Sequence, residues 1–88
     1  MEALPVKVRK LRPEARIPLY ATGGAAGADL FACLDEPLVM APGARARIPT
    51  GIALEITETG FAALVFARSG PAHRQGLALT NGVGVVDE

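Results

Sequence analysis

Three short segments of the sequence place small, polar and charged residues where apolar runs are interrupted. Arg68, Ser69 and Gly70 follow such a run directly, so a guanidinium, a hydroxyl and backbone N–H groups stand together. Phosphate groups favour this combination of hydrogen-bond donors. A capped turn with a surface arginine explains the same residues equally well, so this segment alone leaves both interpretations open.

The segment 81–87 joins an Asn-Gly turn signal to a carboxylate. The Asn81 amide can donate and accept hydrogen bonds, and Gly82 and Gly84 leave backbone exposed to a flat ligand. Asp87 follows two valines and could act as a general base for a water molecule. The alternative is a plain hairpin turn followed by a charge at the end of a strand.

Asp29 follows a loop that contains Gly23, Gly24 and Gly27. Glycines at these positions permit positive φ angles or the close approach of a ligand to the backbone. An ordinary turn before an acidic residue accounts for the same pattern. His73 is the only imidazole, and it has no Cys, His or carboxylate at ligand spacing, so we interpret it as a loop residue.

Composition narrows the class of protein. The 88 residues suffice for one small domain, taken as 1–88, and the formal net charge of zero argues against a nucleic-acid-binding surface. No apolar run approaches the roughly 18 residues of a membrane span. Cys33 is the only cysteine, which fits a reducing compartment, and we expect it to be a small buried hydrophobe. These features predict a cytoplasmic protein with no nucleic-acid or membrane partner.

Ten glycines and seven prolines punctuate short apolar runs, which favours strands over long helices. We expect strands at 6–11, 30–34, 45–49, 52–56, 61–66, 77–79 and 83–86, with 61–66 buried on both faces. Turns are predicted at Pro42-Gly43 and at 81–82, the latter joining the last two strands as a hairpin. Ser69 should cap a helical turn at 72–75 that Gly76 closes. This pattern predicts an all-β fold, a jelly-roll-like β-sandwich or distorted barrel.

Taken in order, the three segments resemble the first three motifs of the trimeric dUTPase family, and the resemblance covers nearly the whole chain. Residues 26–30 resemble motif one, 67–70 motif two and 81–87 the opening of motif three. The resemblance implies hydrolysis of dUTP to dUMP and diphosphate by water attack at the α-phosphorus, with Mg²⁺ bound to the triphosphate. It also implies a homotrimer whose active sites are shared between subunits.

The resemblance assigns a role to each matching residue. Asp87 matches the carboxylate that activates water, and Asp29 matches one that acts near the metal through water and not as a direct ligand. The substrate-binding positions that match are Arg68, Ser69 and Gly70 for the phosphates, and Asn81, Gly84, Val85 and Val86 for uracil.

Two departures from the family pattern qualify this assignment. Ala67 stands where many members have Pro or Gly, and the family continues beyond Glu88 with a motif-three Tyr, two further motifs and more strands. We therefore expect 1–88 to be the N-terminal part of the domain and inactive alone. The alternatives are a dCTP deaminase of the same fold and a non-catalytic β-sandwich binding module.

Overall fold

The computed structural model describes residues 4–87, which form four strands and one short helix. In chain order these are β1 (Val6–Lys10), β2 (Ile52–Ile56), β3 (Ala63–Val65), α1 (Ser69–Gln75) and β4 (Gly84–Val86). β1 pairs with β2 and β3 pairs with β4, so the described residues contain two two-stranded sheets and no closed barrel. The predicted all-β class is confirmed. No helix within 4–87 is long and apolar enough to cross a membrane.

Strands β1 and β2 form where the sequence predicts them. In β2 the apolar residues Ile52, Leu54 and Ile56 are half-buried, and the residues between them are exposed. The N–H of Leu11, directly after β1, donates to the carbonyl of Gly51, directly before β2, at 2.7 Å. β1 therefore ends where β2 begins, which makes the pair antiparallel.

The backbone forms two compact units. We call Val8–Leu54 the central unit, and residues 55–87 together with 4–7 the terminal unit. The central unit contains the two buried apolar residues of the described chain, Ala15 and Cys33, which are 3% and 5% exposed. The expectation that Cys33 is a buried hydrophobe is confirmed.

Gly51 lies against both of these buried residues. A Cβ at this position would lie 2.9 Å from the Ala15 Cβ and 3.1 Å from the Cys33 Sγ. The φ angle of Gly51 is also +69°, in the left-handed region that residues with a Cβ rarely adopt. Glycine is therefore required here for two reasons, the backbone conformation and the space.

Charged side chains tie residues 12–16 of the central unit to residues 31–35. Arg12 forms an ion pair with Glu14 at 2.5 Å, and its guanidinium also donates a hydrogen bond to the Asp35 carboxylate. The hydrogen bond from Arg12 to Asp35, together with the charges of both carboxylates, raises the pKa of Arg12, which therefore stays a cation. The Arg16 guanidinium lies 3.8 Å from the ring centroid of Phe31, a cation–π contact.

Three of the predicted strands, 30–34, 45–49 and 77–79, are wrong. In place of ladders at 30–34 and 45–49, the Cys33 N–H donates to the Pro49 carbonyl at 2.7 Å, and Leu19 and Asp29 form an isolated bridge. An apolar or alternating pattern marks residues that suit a strand, but a strand forms only where a partner backbone pairs with it.

The terminal unit is built on the β3–β4 pair. The register sets Ala63 opposite Val86, Leu64 opposite Val85, and Val65 opposite Gly84. Leu64 and Val85 share one face of this pair and are 56% and 63% exposed, and Phe66 is 63% exposed. The prediction that 61–66 is buried on both faces is therefore wrong for this chain, because one face of the pair has no cover within the described residues.

Candidate active site

The Arg68-Ser69-Gly70 segment forms the entry to helix α1. Arg68 occupies the N-cap position in an extended conformation, with φ −72° and ψ 137°, and no side chain caps the helix there. Its carbonyl accepts a hydrogen bond from the Ala72 N–H at 3.0 Å. The prediction that Ser69 is the N-cap is wrong. The helix already begins at Ser69, three residues before the predicted turn at 72–75, so the N-cap position falls on Arg68. Both Arg68 and Ser69 are exposed at this bend.

The end of α1 matches the prediction. Gly76 follows the helix with a φ angle of +69°, which glycine adopts without steric cost. Its N–H donates to the Ala72 carbonyl at 3.2 Å, and the next N–H, of Leu77, donates to the Pro71 carbonyl at 3.3 Å. These bonds satisfy carbonyls of the last turn, so a helix of only seven residues ends in a defined way.

Arg74 is a residue of this region that the sequence reasoning did not select. Its guanidinium lies over Gly70, where an added Cβ would be 2.8 Å from Nη2. Gly70, Pro71, Arg74 and Gln75 line a shallow cavity of about 220 Å³ on the helix surface. The four-residue spacing between Gly70 and Arg74 was the available signal, since residues so spaced are neighbours on a helix.

The predicted turn at 81–82 is present. Gly82 has a φ angle of +75°, its N–H donates to the Leu79 carbonyl at 3.0 Å, and the Val83 N–H donates to the Asn81 carbonyl at 2.9 Å. The turn leads into β4 but does not form a hairpin with 77–79, because β4 pairs with β3. Asn81 is exposed at the turn.

Gly84 allows β3 and β4 to approach closely. A Cβ at Gly84 would lie 3.2 Å from the Val65 Cβ, which is tight for a pair of residues directly opposite each other. Beyond it the strand alternates, with Val86 half-buried and Val85 and Asp87 exposed. Val85 and Asp87 therefore remain accessible to solvent.

The antiparallel register separates Arg68 from Asp87 in the terminal unit. Val65 precedes Arg68 by three residues and pairs with Gly84, so Arg68 and Asn81 leave the same end of the pair. Asp87 leaves the opposite end, beyond Val86. Six residue rises separate the position opposite Asp87 from Arg68, which is up to about 20 Å along an extended chain. The register therefore places Arg68 and Asn81 beyond one end of the β3–β4 pair and Asp87 beyond the other.

Asp29 belongs to the central unit and is half-buried. The Asp29 N–H donates to the Leu19 carbonyl at 2.7 Å, and the Leu19 N–H donates to the Asp29 carbonyl at 3.2 Å. These two hydrogen bonds fix the backbone that carries the Asp29 carboxylate. Gly23, Gly24 and Gly27 do not have positive φ angles, and a Cβ on any of them would meet nothing within 4 Å. The fold of the chain does not itself need glycine there. In the described part of the chain, no three His, Cys, Asp or Glu side chains gather as a metal site.

Comparison with known proteins gives a consistent result. The model of the dUTPase family matches residues 13–88. Among curated relatives, a deoxyuridine 5'-triphosphate nucleotidohydrolase of Desulfitobacterium hafniense (strain DSM 10664 / DCB-2) is 51% identical over 99% of this chain and 59% of its own length. One of Paraburkholderia xenovorans (strain LB400) is 48% identical over 96% of this chain and 57% of its own length. The chain thus spans less than two thirds of these relatives.

Proposed function

The chain belongs to the dUTPase family, and from that premise we propose that the protein hydrolyses dUTP to dUMP and diphosphate. The names of the relatives support this substrate. The observation that carries the proposal is that the exposed Arg68 and Ser69 at the entry of α1 and the exposed Asn81-Gly82 turn lie beyond the same end of the β3–β4 pair. One end of the terminal unit therefore presents groups for both a phosphate and a base.

The proposed reaction is a displacement at the α-phosphorus. The oxygen of water bonds to the α-phosphorus, the bond from that phosphorus to the bridging oxygen breaks, and diphosphate leaves. Asp87 takes the proton from the attacking water as a general base, a role that its exposure permits. Arg68, Ser69 and Gly70 hold the phosphates, with the Ser69 hydroxyl directed at the bridging oxygen of the leaving group.

The uracil base is assigned to the Asn81-Gly82 turn and to the strand β4 that follows it. Asn81 supplies an amide, and the main chain of Gly84, Val85 and Val86 supplies further donors and acceptors. Cytosine presents an amine where uracil presents O4, so it would leave buried polar groups unpaired and bind less tightly. The close approach of Gly84 to Val65 supports a tight β3–β4 pairing that leaves no room beside it for the methyl group of thymine.

Magnesium is part of the proposal. The resemblance to the family supports a metal carried by the phosphate oxygens of the substrate, since oxygen atoms are the ligands that Mg²⁺ prefers. Asp29 would orient one of its waters without direct coordination. Mg²⁺ bound to the triphosphate would offset the negative charge that develops on the leaving diphosphate.

We also assign a homotrimer with shared sites. The register of β3 and β4 supports sharing, because Arg68 and Asp87 lie at opposite ends of the pair in one chain. A nucleotide that contacts both groups would take Arg68 from one subunit and Asp87 from another. The exposed apolar face around Leu64 and Val85 is consistent with further burial in an assembly.

The composition of the chain supports our proposals on its binding partner and its cellular location. A formal net charge of zero provides no overall attraction for nucleic acid. It supports a nucleotide substrate that is bound by a few nearby side-chain and backbone groups. The single, buried and unpaired Cys33 supports a reducing compartment, and on this basis we assign the protein to the cytoplasm.

One assay on the full-length protein that carries this sequence tests the proposal. Purified protein with Mg²⁺ is given dUTP or dCTP, and the release of diphosphate and of ammonia is measured in parallel. We expect diphosphate from dUTP. Ammonia from dCTP would identify a deaminase, and no turnover of either by an intact oligomer would identify a binding module.

A further inference from the structure

Asp29 begins a short backbone segment, 29–33, whose hydrogen-bonding partner changes along its length. At its start the Asp29 N–H donates to the Leu19 carbonyl at 2.7 Å, and at its end the Cys33 N–H donates to the Pro49 carbonyl, also at 2.7 Å. The three residues between them form no backbone hydrogen bond with any other residue that the structure describes. Backbone pairing therefore fixes the two ends of the segment and leaves its middle unattached.

A side-chain contact reaches the unattached middle of this segment. The Arg16 guanidinium lies 3.8 Å from the centroid of the ring of Phe31, the middle residue of 29–33. Arg16 directly follows Ala15, which is 3% exposed and lies against Gly51, so the backbone of Arg16 is anchored in the interior of the central unit. The contact therefore joins an anchored residue to the part of the segment that has no backbone partner.

This contact is close to the Asp29 carboxylate along the chain. Phe31 is two residues from Asp29, and two residues of backbone span at most about 7 Å. Asp29 is half-buried, so its side chain has little freedom to compensate for a shift of the backbone that carries it. A carboxylate that orients a water molecule acts at hydrogen-bond distance, where a displacement on the order of 1 Å is large. The group that holds Phe31 in place therefore also determines where this carboxylate lies.

We propose that Arg16 is a positioning residue for Asp29. Its guanidinium holds the Phe31 ring, and the ring fixes the backbone from which the Asp29 carboxylate orients a water of the substrate-bound magnesium. Among the residues that the structure describes, Arg16 has no carboxylate partner, so the ring is the contact that holds its guanidinium. The inference rests on the proposed function, which gives Asp29 its role, and adds a residue that acts through Phe31.

The test is the substitution Arg16→Gln in the full-length protein. A cation–π contact at an exposed site favours the paired arrangement about two- to fivefold. Hydrogen–deuterium exchange of the Leu19 and Asp29 amides should therefore become about two- to fivefold faster. The Mg²⁺ concentration that gives half the maximal rate with dUTP should rise by a similar factor, while KM for dUTP at saturating Mg²⁺ changes less than about twofold. The melting temperature should fall by a few degrees or less.

Two further variants separate this role from a general loss of stability. Arg16→Lys keeps a cation for the ring and should recover a large part of both changes. Phe31→Leu should reproduce the changes of Arg16→Gln, and the double variant should be no worse than either single one, since each removes the same contact. Additive effects of the two substitutions would overturn the inference.

Arg45→Gln is the matched control, because Arg45 is another exposed arginine of the central unit and contacts no aromatic ring in the described part of the chain. It should leave both measurements unchanged. The inference is overturned if Arg16→Gln leaves the exchange of the two amides unaffected, or if exchange becomes faster while the Mg²⁺ dependence stays the same. Should the unsubstituted protein fail to hydrolyse dUTP, the proposed function fails, and amide exchange alone decides whether Arg16 positions Asp29.

Discussion

Gly51 in the central unit and Gly70 in the terminal unit both leave room for a neighbour, but the neighbours differ. At Gly51 the neighbours are the buried Ala15 and Cys33, and the backbone is left-handed. At Gly70 the neighbour is the far end of the exposed Arg74 side chain, and the backbone is ordinary. A side chain at position 51 would collide with buried atoms that have no room to shift. A side chain at position 70 would meet only the end of a long exposed side chain, which can turn aside.

This difference extends to the two units as a whole. The buried residues, the ion pairs of Arg12 and the cation–π contact of Arg16 all lie in the central unit. Arg68, Asn81 and Asp87 lie exposed in the terminal unit. We therefore expect substitutions in the central unit to change stability, and substitutions at the exposed groups of the terminal unit to change catalysis.

The largest effect is expected from Asp87→Asn. An amide cannot accept the proton of the attacking water, so kcat for dUTP should fall by about 10²–10⁴. Because Asp87 is exposed, the melting temperature should stay nearly unchanged. Steady-state kinetics and a thermal melt on the same preparation check both statements, and a variant that keeps more than a tenth of kcat would exclude Asp87 as the base.

Gly51→Ala should cause the largest loss of stability. The left-handed backbone and the contact with Ala15 together should cost about 2–4 kcal/mol of unfolding free energy. Gly43→Ala is the matched control, because Gly43 has a φ angle of +79° but open space around it. It should cost only about 1 kcal/mol, the backbone contribution alone. Equal losses in denaturant unfolding would mean that the contacts with Ala15 and Cys33 are unimportant.

Gly76→Ala should have an intermediate effect in the terminal unit. Left-handed backbone at the end of α1 should cost about 1 kcal/mol with alanine, and looser closure of the helix should raise KM for dUTP modestly. Gly24→Ala, at a position with open space and no positive φ, should change the unfolding free energy by less than about 0.5 kcal/mol. If Gly24→Ala proved the more destabilising of the two, the role of Gly76 as the helix cap would be wrong.

The smallest effect is expected from Asp35→Asn. It removes a carboxylate that holds Arg12 in a solvent-exposed ion pair, and such pairs contribute little. The shift in the unfolding midpoint should be smaller than for Gly51→Ala or Gly76→Ala, and it should disappear at about 1 M salt because charges are then screened. A shift that persists in salt would mean that this pair is more important to the central unit than its exposure indicates.

Local signals in the sequence were good guides to local structure. The alternation of Ile52, Leu54 and Ile56 predicted β2. Pro42-Gly43 predicted a turn that is present, with the Ala44 N–H donating to the Ala41 carbonyl at 2.9 Å. In each case the determinant lies within a few neighbouring residues, so a single sequence contains it.

Features that depend on distant residues could not be predicted in this way. The Asn81-Gly82 turn does not reveal that β4 pairs with β3 and not with 77–79, because pairing is decided by the rest of the fold. The sequence marks Gly51 only as a break, and its contacts with Ala15 and Cys33 come from packing across the central unit. The site residues were proposed from motif order, and the roles of Asp87 and Arg68 stay predictions.

Mixing subunits is the most direct test of the proposed shared active site, in which Arg68 and Asp87 come from different subunits. Full-length Arg68→Ala and Asp87→Asn proteins, each inactive alone, are unfolded together, refolded at equal ratio, and assayed for diphosphate release from dUTP. Sites formed between unlike subunits can contain both native residues, so the mixture should regain up to about a quarter of the unsubstituted activity. A mixture that forms hybrid oligomers but stays as inactive as its parents would contradict the account.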